Sequence, residues 1–356
     1  MKIGIIGLPQ TGKKTLFQIL TQTIVKEQVK ANKPIPGTAD ILDMRFDRLV
    51  KMYSPKKKVK ARIDLVLLPK MEQETISTGE IFRDIADMDA VCHVVRCFED
   101  DAVYHAEGSI DPVRDSSMVS SELILHDQIF VEKRIQRIKE LGKKKKDETQ
   151  MKELALMEKI LKFLEEEKPL RLFNFSDDEE ALITSYPFIT KKEMLIALNV
   201  SEDDLADTSL LEKFKNQCET EKMEAMIVSA KVESEIALLD TDEEKNEFLE
   251  ALGIKETALG ILTRLCLKAL GLISFFTVGE DEVRQWLVKK GSTAPIAAGV
   301  IHSDLQRGFI RAEVFKYDDL MKYGSEQELK KQGKLYVEGK NYIVEDGDIL
   351  NIRFKV

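Results

Sequence analysis

The sequence is poor in the residues that build metal and redox centres. Its 356 residues include four cysteines, four histidines and one tryptophan. Cys92, Cys97, Cys218 and Cys266 lie in apolar or helical surroundings without a CxxC pair. That excludes a disulfide framework or a zinc site and leaves four expected reduced thiols. No apolar run approaches the ~20 residues that cross a bilayer. The N-terminal apolar stretch is interrupted by glycine and runs into a lysine pair, unlike a signal peptide, so a cytoplasmic chain with no membrane partner is expected. Positive charge is not in excess either: 54 Lys and Arg stand against 63 Asp and Glu, a net charge of −9. A surface coated all over in nucleic acid is excluded, and only local basic patches remain as polyanion surfaces. What is present suffices for a large core, since 43% of the chain is hydrophobic. The length fits two or three domains of ~150 residues.

The chain is organised around its first twenty residues, MKIGIIGLPQTGKKTLFQIL. Lys2 to Ile6 reads as a buried strand, Gly7 to Gly12 as a tight loop and Lys13 to Leu20 as an amphipathic helix. This is the layout of a phosphate-binding loop. Gly7 and Gly12 let the backbone turn, and the amides from Gln10 through Thr11 and Lys14 to Thr15 can point at an anion. Lys13 adds a point charge at the β- and γ-phosphates. The pattern normally continues with Ser or Thr, whose hydroxyl binds Mg²⁺. Here that position is Lys14, and the hydroxyl arrives one residue later at Thr15. An ammonium cannot ligate a cation, so Mg²⁺ is in doubt; Lys14 either offsets phosphate charge near the vacated position or faces solvent.

Residues 21–60 show weak periodicity and three prolines, and read as a long mobile connection where a first switch loop belongs. Thr38 lies in its central part, but its spacing does not mark it as a metal ligand. In ARIDLVLLPK, Asp64 stands where a carboxylate could hold the metal's water shell, or it merely ends a strand. The pattern expected there is DxxG; the chain has DLVL, with Leu67 in the glycine position. Ala90 to Val95 forms a buried strand in which His93 reads as a packed core residue. His105, on the loop that follows, is the histidine placed to orient water, although a lone loop histidine is commonly a surface residue.

From Ser116 to about Glu180, apolar residues recur at three- and four-residue spacing around a break at Gly142, which predicts an antiparallel helical hairpin. Its tip, LGKKKKDE, is either an RNA-contacting patch or a solvated turn. Strands at Met194–Leu198 and within MEAMIVSAK end in Asn199 and in Ser229, Ala230 and Lys231. These are positions where a doubly wound α/β domain builds a base pocket. Residues 273–356 change to short strands and glycine turns, a separate small α+β domain, with EDGD read as a hairpin turn between two strands.

Taken together, GLPQTGKKTLF, HVVRCFEDD, NVSE, SAK, FFTVGEDEVRQW, APIAAGVIHSDLQRGFIRAEV, YDDLMKYGS and EGKNYIVEDGDILNIRF resemble the YchF family, also called Obg-like ATPases. The resemblance implies an α/β P-loop NTPase G domain (1–115 and 184–272), an inserted α-helical coiled-coil hairpin (116–183) and a C-terminal ubiquitin-like α+β TGS domain (273–356). It also implies ribosome or RNA contact through the hairpin tip and TGS domain; a monomer is expected. The family pattern NxxE falls on Asn199, Val200, Ser201 and Glu202. The longer Glu202 carboxylate cannot make the paired guanine contact, so ATP is expected over GTP. The family carries an apolar residue in place of a catalytic Gln, here Leu68. A histidine in the loop after HVVRCFED is its suggested replacement, and His105 falls in that loop. Lys14 and Leu67 both strike the Mg²⁺ and γ-phosphate machinery, so nucleotide binding with weak or absent hydrolysis is expected.

Overall fold

Burial fixes the first strand: in β1, Lys2–Ile6, every residue after Lys2 is buried. The computed structural model describes residues 1–25, 33–100, 103, 105, 108–142, 148–239, 241–254 and 256–355. After β1 come α1 (Lys13–Thr21), β2 (Ile35–Asp40), α2 (Met44–Tyr53), β3 (Lys57–Val59) and β4 (Arg62–Leu67). Then follow α3 (Gln73–Thr78), α4 (Glu80–Ala86), β5 (Ala90–Arg96), α5 (Pro112–Gly142), α6 (Glu148–Glu165) and α7 (Asp177–Ile183). Next are β6 (Glu193–Asn199), α8 (Ser209–Glu221), β7 (Glu224–Val228), α9 (Ala230–Ile236), α10 (Asp242–Ala251) and α11 (Ala258–Ala269). The C-terminal part holds β8 (Leu272–Thr277), β9 (Glu282–Lys289), α12 (Ala294–Ile301), β10 (Phe309–Lys316), β11 (Tyr336–Glu338) and β12 (Asp348–Phe354).

The chain divides into two units, residues 1–39 with 64–261 and residues 40–63 with 262–356. The first is built on a sheet of order β2-β4-β1-β5-β6-β7. From β4 to β7 its neighbours run parallel. Strands covered on both faces must be apolar along their length, and β5 is buried at every residue. Ile6, Val66, Val91, Val95, Ile196 and Leu198 join Ile81 and Ile85 of α4 and Phe214 of α8 in one core. Each such side chain contributes roughly 1.5–3 kcal/mol by leaving water. The segment that follows DLVL, where DxxG is the expected pattern, is helical: α3 and α4 abut at Gly79, whose φ of 69° is left-handed backbone that glycine adopts without strain.

The hairpin is α5 and α6. Pro112 at the first helical position and Asp111, whose carboxylate accepts from the Arg114 amide at 3.0 Å, start α5 four residues ahead of the expected Ser116. Val131, Ile135 and Ile138 face Leu156, Met157 and Ile160, so the three- and four-residue spacing becomes the packed seam. The lysine run of the tip, residues 143–146, lies outside the described residues. At the other end, the buried Asp127 carboxylate accepts from the amides of Ile189 (3.1 Å) and Thr190 (2.8 Å) and from the Thr190 hydroxyl (2.6 Å). It thereby fixes α5 to the approach of β6.

The second unit carries a mixed sheet of order β11-β10-β12-β8-β9-β3. Its composition corrects two expectations. Residues 40–63 are not a loose connection of the first domain, because β3 pairs in parallel with β9, Lys57 opposite Glu282. Phe46 and Leu49 of α2 pack with Phe276, Val283 and Ile349. The Arg45 guanidinium forks onto Asp346 at 2.7 and 3.2 Å. Nor is EDGD a turn between two strands: β12 follows it, but Ile343 before it forms an isolated bridge with Thr293. Asp346 instead accepts from the Ser274 amide of β8, and Gly347 donates to the Ser274 carbonyl.

Asp127→Ala leaves two buried amides without an acceptor, at a cost of about 3 kcal/mol. The urea unfolding midpoint is expected to fall accordingly, with Asp127→Asn intermediate. An unchanged midpoint would remove Asp127 as the hairpin's anchor.

Candidate phosphate-binding site

The loop from Gly7 to Gly12 leaves the carboxyl edge of β1, between its sheet neighbours β4 and β5, where open α/β sheets place ligands. Its turn is written in three positive φ angles: Gly7 at 153°, Gln10 at 59° and Gly12 at 84°. A Cβ on Gly7 would press on the Val94 carbonyl oxygen at 2.5 Å, and one on Gly12 would collide with the Asn199 side chain. Gly12 then caps α1 with no side-chain acceptor, leaving the first-turn amides to an outside partner.

Lys13, 6% exposed, donates through Nζ to the carbonyls of Gly7 (2.7 Å) and Leu8 (3.0 Å). Burial, then the charge of Lys70, push its pKa down to about 7, partly opposed by Glu72. His93, in register with Ile6 on the neighbouring strand, is fully buried as expected. Its pKa falls to about 3 through burial and the nearby Lys13 charge, so it stays neutral. Lys14 and Thr15 are exposed in the first turn of α1.

Asn199 ends β6 and joins the two halves of the site. Its Nδ2 donates to the Thr11 carbonyl at 2.9 Å, and its Oδ1 accepts from the Ala230 amide at 2.9 Å. Ser229 caps α9, with its hydroxyl accepting from Val232. Val200 is buried and donates its amide to the Val228 carbonyl. Beyond it Glu202 faces Lys231 across 3.7 Å. Gly7, Thr11, Gly12, Lys13, Asn199, Ser229 and Ala230 are thus brought together, with Glu202 and Lys231 forming an exposed ion pair beside them.

Asp64 is not brought there, which corrects its expected metal role. It pairs with Lys2 at the opposite edge of the sheet and lies 3.5 Å from the Met1 ammonium. Five strand residues, about 16 Å at ~3.3 Å each, separate that level from Gly7. The end of β4 that does adjoin the loop is Leu67, Leu68 and Pro69, without a carboxylate. With Lys14 in the hydroxyl position as well, these residues do not fit a Mg²⁺ ion, which requires oxygen ligands. His105 is largely buried, its Nε2 3.1 Å from the Asp115 carboxylate at the start of α5. Asp115 also takes Arg114 at 2.7 Å.

Lys70 and Glu72, which flank the loop, were not singled out by the sequence. The signal is in the sequence: the apolar run of ARIDLVLLPK carries the strand on to Leu67, which brings LLPKME beside the loop, the Met71 amide bonding the Gly7 carbonyl.

Lys13 gives the site a defined pH dependence. Its ordinary pKa is 10.5 and its value in the folded chain is about 7. Between these the unfolded chain holds the proton and the folded one does not, so stability without ligand gains as pH rises from about 7 towards 10.5. A bound polyanion restores the charge, so binding at about pH 8 is expected to take up close to one proton and weaken as pH rises. Calorimetry of polyphosphate or ATP binding in buffers of different ionisation enthalpy counts that proton. Zero uptake would contradict a buried, partly neutral Lys13.

Comparisons with known proteins bear on the family of the chain. A family model, YchF-GTPase_C, described as "Protein of unknown function (DUF933)", matches residues 272–355. The chain is 41% identical to a Bacillus subtilis protein named "Ribosome-binding ATPase YchF", over 99% of both. It is 36% identical to the Caenorhabditis elegans "Obg-like ATPase 1", over 99% of this chain and 92% of that one. Among solved structures, the Schizosaccharomyces pombe YchF GTPase superposes with a TM-score of 0.83 at 30% identity, covering 99% of this chain and 97% of that one. With relatives this similar over almost their whole length, the chain belongs to the YchF family.

Proposed function

We propose that this chain binds a purine nucleotide, ATP in preference to GTP, and turns it over slowly. The observation that carries the proposal is Asn199, whose side chain holds the phosphate loop at Thr11 and the Ser229–Lys231 corner at Ala230 in one hydrogen-bonded unit. A phosphate cradle and a purine edge are supported by the same side chain, the combination a nucleotide requires. Glu202, paired with the exposed Lys231, is the residue assigned to the base in this reading, where a shorter carboxylate would suit guanine. His105 remains the candidate for orienting water, held in place by Asp115.

A reading without turnover is favoured by one particular observation. Leu67, Leu68 and Pro69 fill the strand end that should present a carboxylate and a glycine. In that case nucleotide holds a conformation, and the chain acts as a binding module.

The Bacillus relative is named a ribosome-binding ATPase, and we extend that setting to this chain as part of the proposal. The hairpin tip, basic in sequence, and the C-terminal unit, read as a TGS domain, are the surfaces assigned to RNA, in a monomer acting in the cytoplasm.

Displacement of a fluorescent adenine nucleotide tests the reading. ATP is expected to compete at lower concentration than GTP. Asn199→Ala, by leaving the Thr11 carbonyl and Ala230 amide unpaired, is expected to weaken ATP binding by at least about 30-fold. Equal competition by the two nucleotides would remove the adenine preference, and undiminished binding by the variant would remove Asn199 from the site.

A further inference from the structure

We propose that the site takes its nucleoside triphosphate free of divalent cation, with Lys13, Lys14 and Lys70 meeting the phosphate charge where relatives with a full metal site would use Mg²⁺. The inference rests on the nucleotide-binding reading above and names the form of nucleotide that the site accepts.

The geometry around Lys70 leads to it. Strand β4 runs beside β1 and carries its backbone past the phosphate loop, the Leu68 amide donating to the Ile5 carbonyl at 3.1 Å and the Met71 amide to the Gly7 carbonyl at 3.3 Å. Lys70 lies between those two contacts. Its own carbonyl accepts from the Thr75 hydroxyl at 2.6 Å, so the backbone is fixed while the side chain stays exposed. The backbone that bears Lys70 is therefore held beside the loop, close enough for the Lys70 charge to act on Lys13.

The surroundings lack what Mg²⁺ would need. Glu72 is the nearby carboxylate whose charge reaches Lys13, and it is engaged in the capping box at the start of α3. Among the described residues no group of three or more His, Cys, Asp or Glu side chains could hold a metal ion. Lys14 occupies the position of the metal-binding hydroxyl, one residue after Lys13. A divalent cation entering beside these ammonium groups would meet repulsion, whereas an uncomplexed triphosphate relieves it. The Lys70 charge disfavours the protonated form of Lys13, a repulsion that a bound anion would relieve.

Calorimetric titration of the full-length chain with ATP, at matched ionic strength, is carried out once with excess Mg²⁺ and once with EDTA. The wild type is expected to bind at least as tightly in EDTA. Lys70→Gln, which removes an exposed charge without touching the Thr75 contact, is expected to weaken the EDTA titration about 10-fold with no change in melting temperature. Lys14→Ser is expected to shift preference towards the Mg²⁺ complex. ATP binding that requires Mg²⁺ in the wild type overturns the metal-free clamp and leaves nucleotide binding standing, as does a Lys70→Gln variant that titrates like wild type in EDTA. No ATP binding under either condition overturns both readings together.

Discussion

The side-chain amide of Asn199 is the contact on which the site depends. It donates to Thr11 on the loop after β1 and accepts from Ala230 at the start of α9, joining three segments that are far apart in sequence. Both bonds are buried, so neither has water as an alternative, and losing one partner would strand the other. The same amide packs where a Cβ on Gly12 would lie, so the glycine and the asparagine are constraints on each other. The left-handed turn at Gly12, the orientation of the first α1 amides and the position of Lys13 follow from that pair.

The electrostatics of the site is built on this frame. Lys13 is folded onto the carbonyls of its own loop, buried, with its charge weakened by the dry surroundings and by Lys70. Beneath it His93 is neutral and adds no competing charge. A polyanion would draw the lysine off the carbonyls of Gly7 and Leu8 and restore its proton, so occupancy and protonation are one event. The end of β4 presents Leu67, and the segment past it brings Lys70 and a Glu72 engaged in capping α3.

Much of this was legible in the sequence because it is local. Gly7, Gly12 and Lys13 declare a loop whose backbone needs positive φ and whose helix start needs an anion, and NVSE and SAK mark strand ends by small polar residues after apolar runs. The hairpin was visible in its period, and His93 in its apolar strand. What was misplaced depended on register or on distant pairing. Asp64 looks like a motif residue in DLVL, but β4 extends to Leu67, and parallel pairing with Lys2 puts Asp64 at the far edge. Strand β3 has three residues and owes its existence to β9, more than two hundred residues later, so no local pattern could assign residues 40–63 to the C-terminal sheet. His105 was chosen for its loop; its pairing with Asp115 requires knowing that α5 begins at Pro112.

The central claim is that the amides from Gln10 to Thr15 and the Asn199–Ala230 corner form one receptor for a nucleotide. Hydrogen–deuterium exchange of the whole chain, with and without saturating ATP, reads those amides directly. The account predicts protection of residues 7–15 together with residues 199–202 and 229–231. Exchange in these segments that ATP leaves unchanged would contradict it.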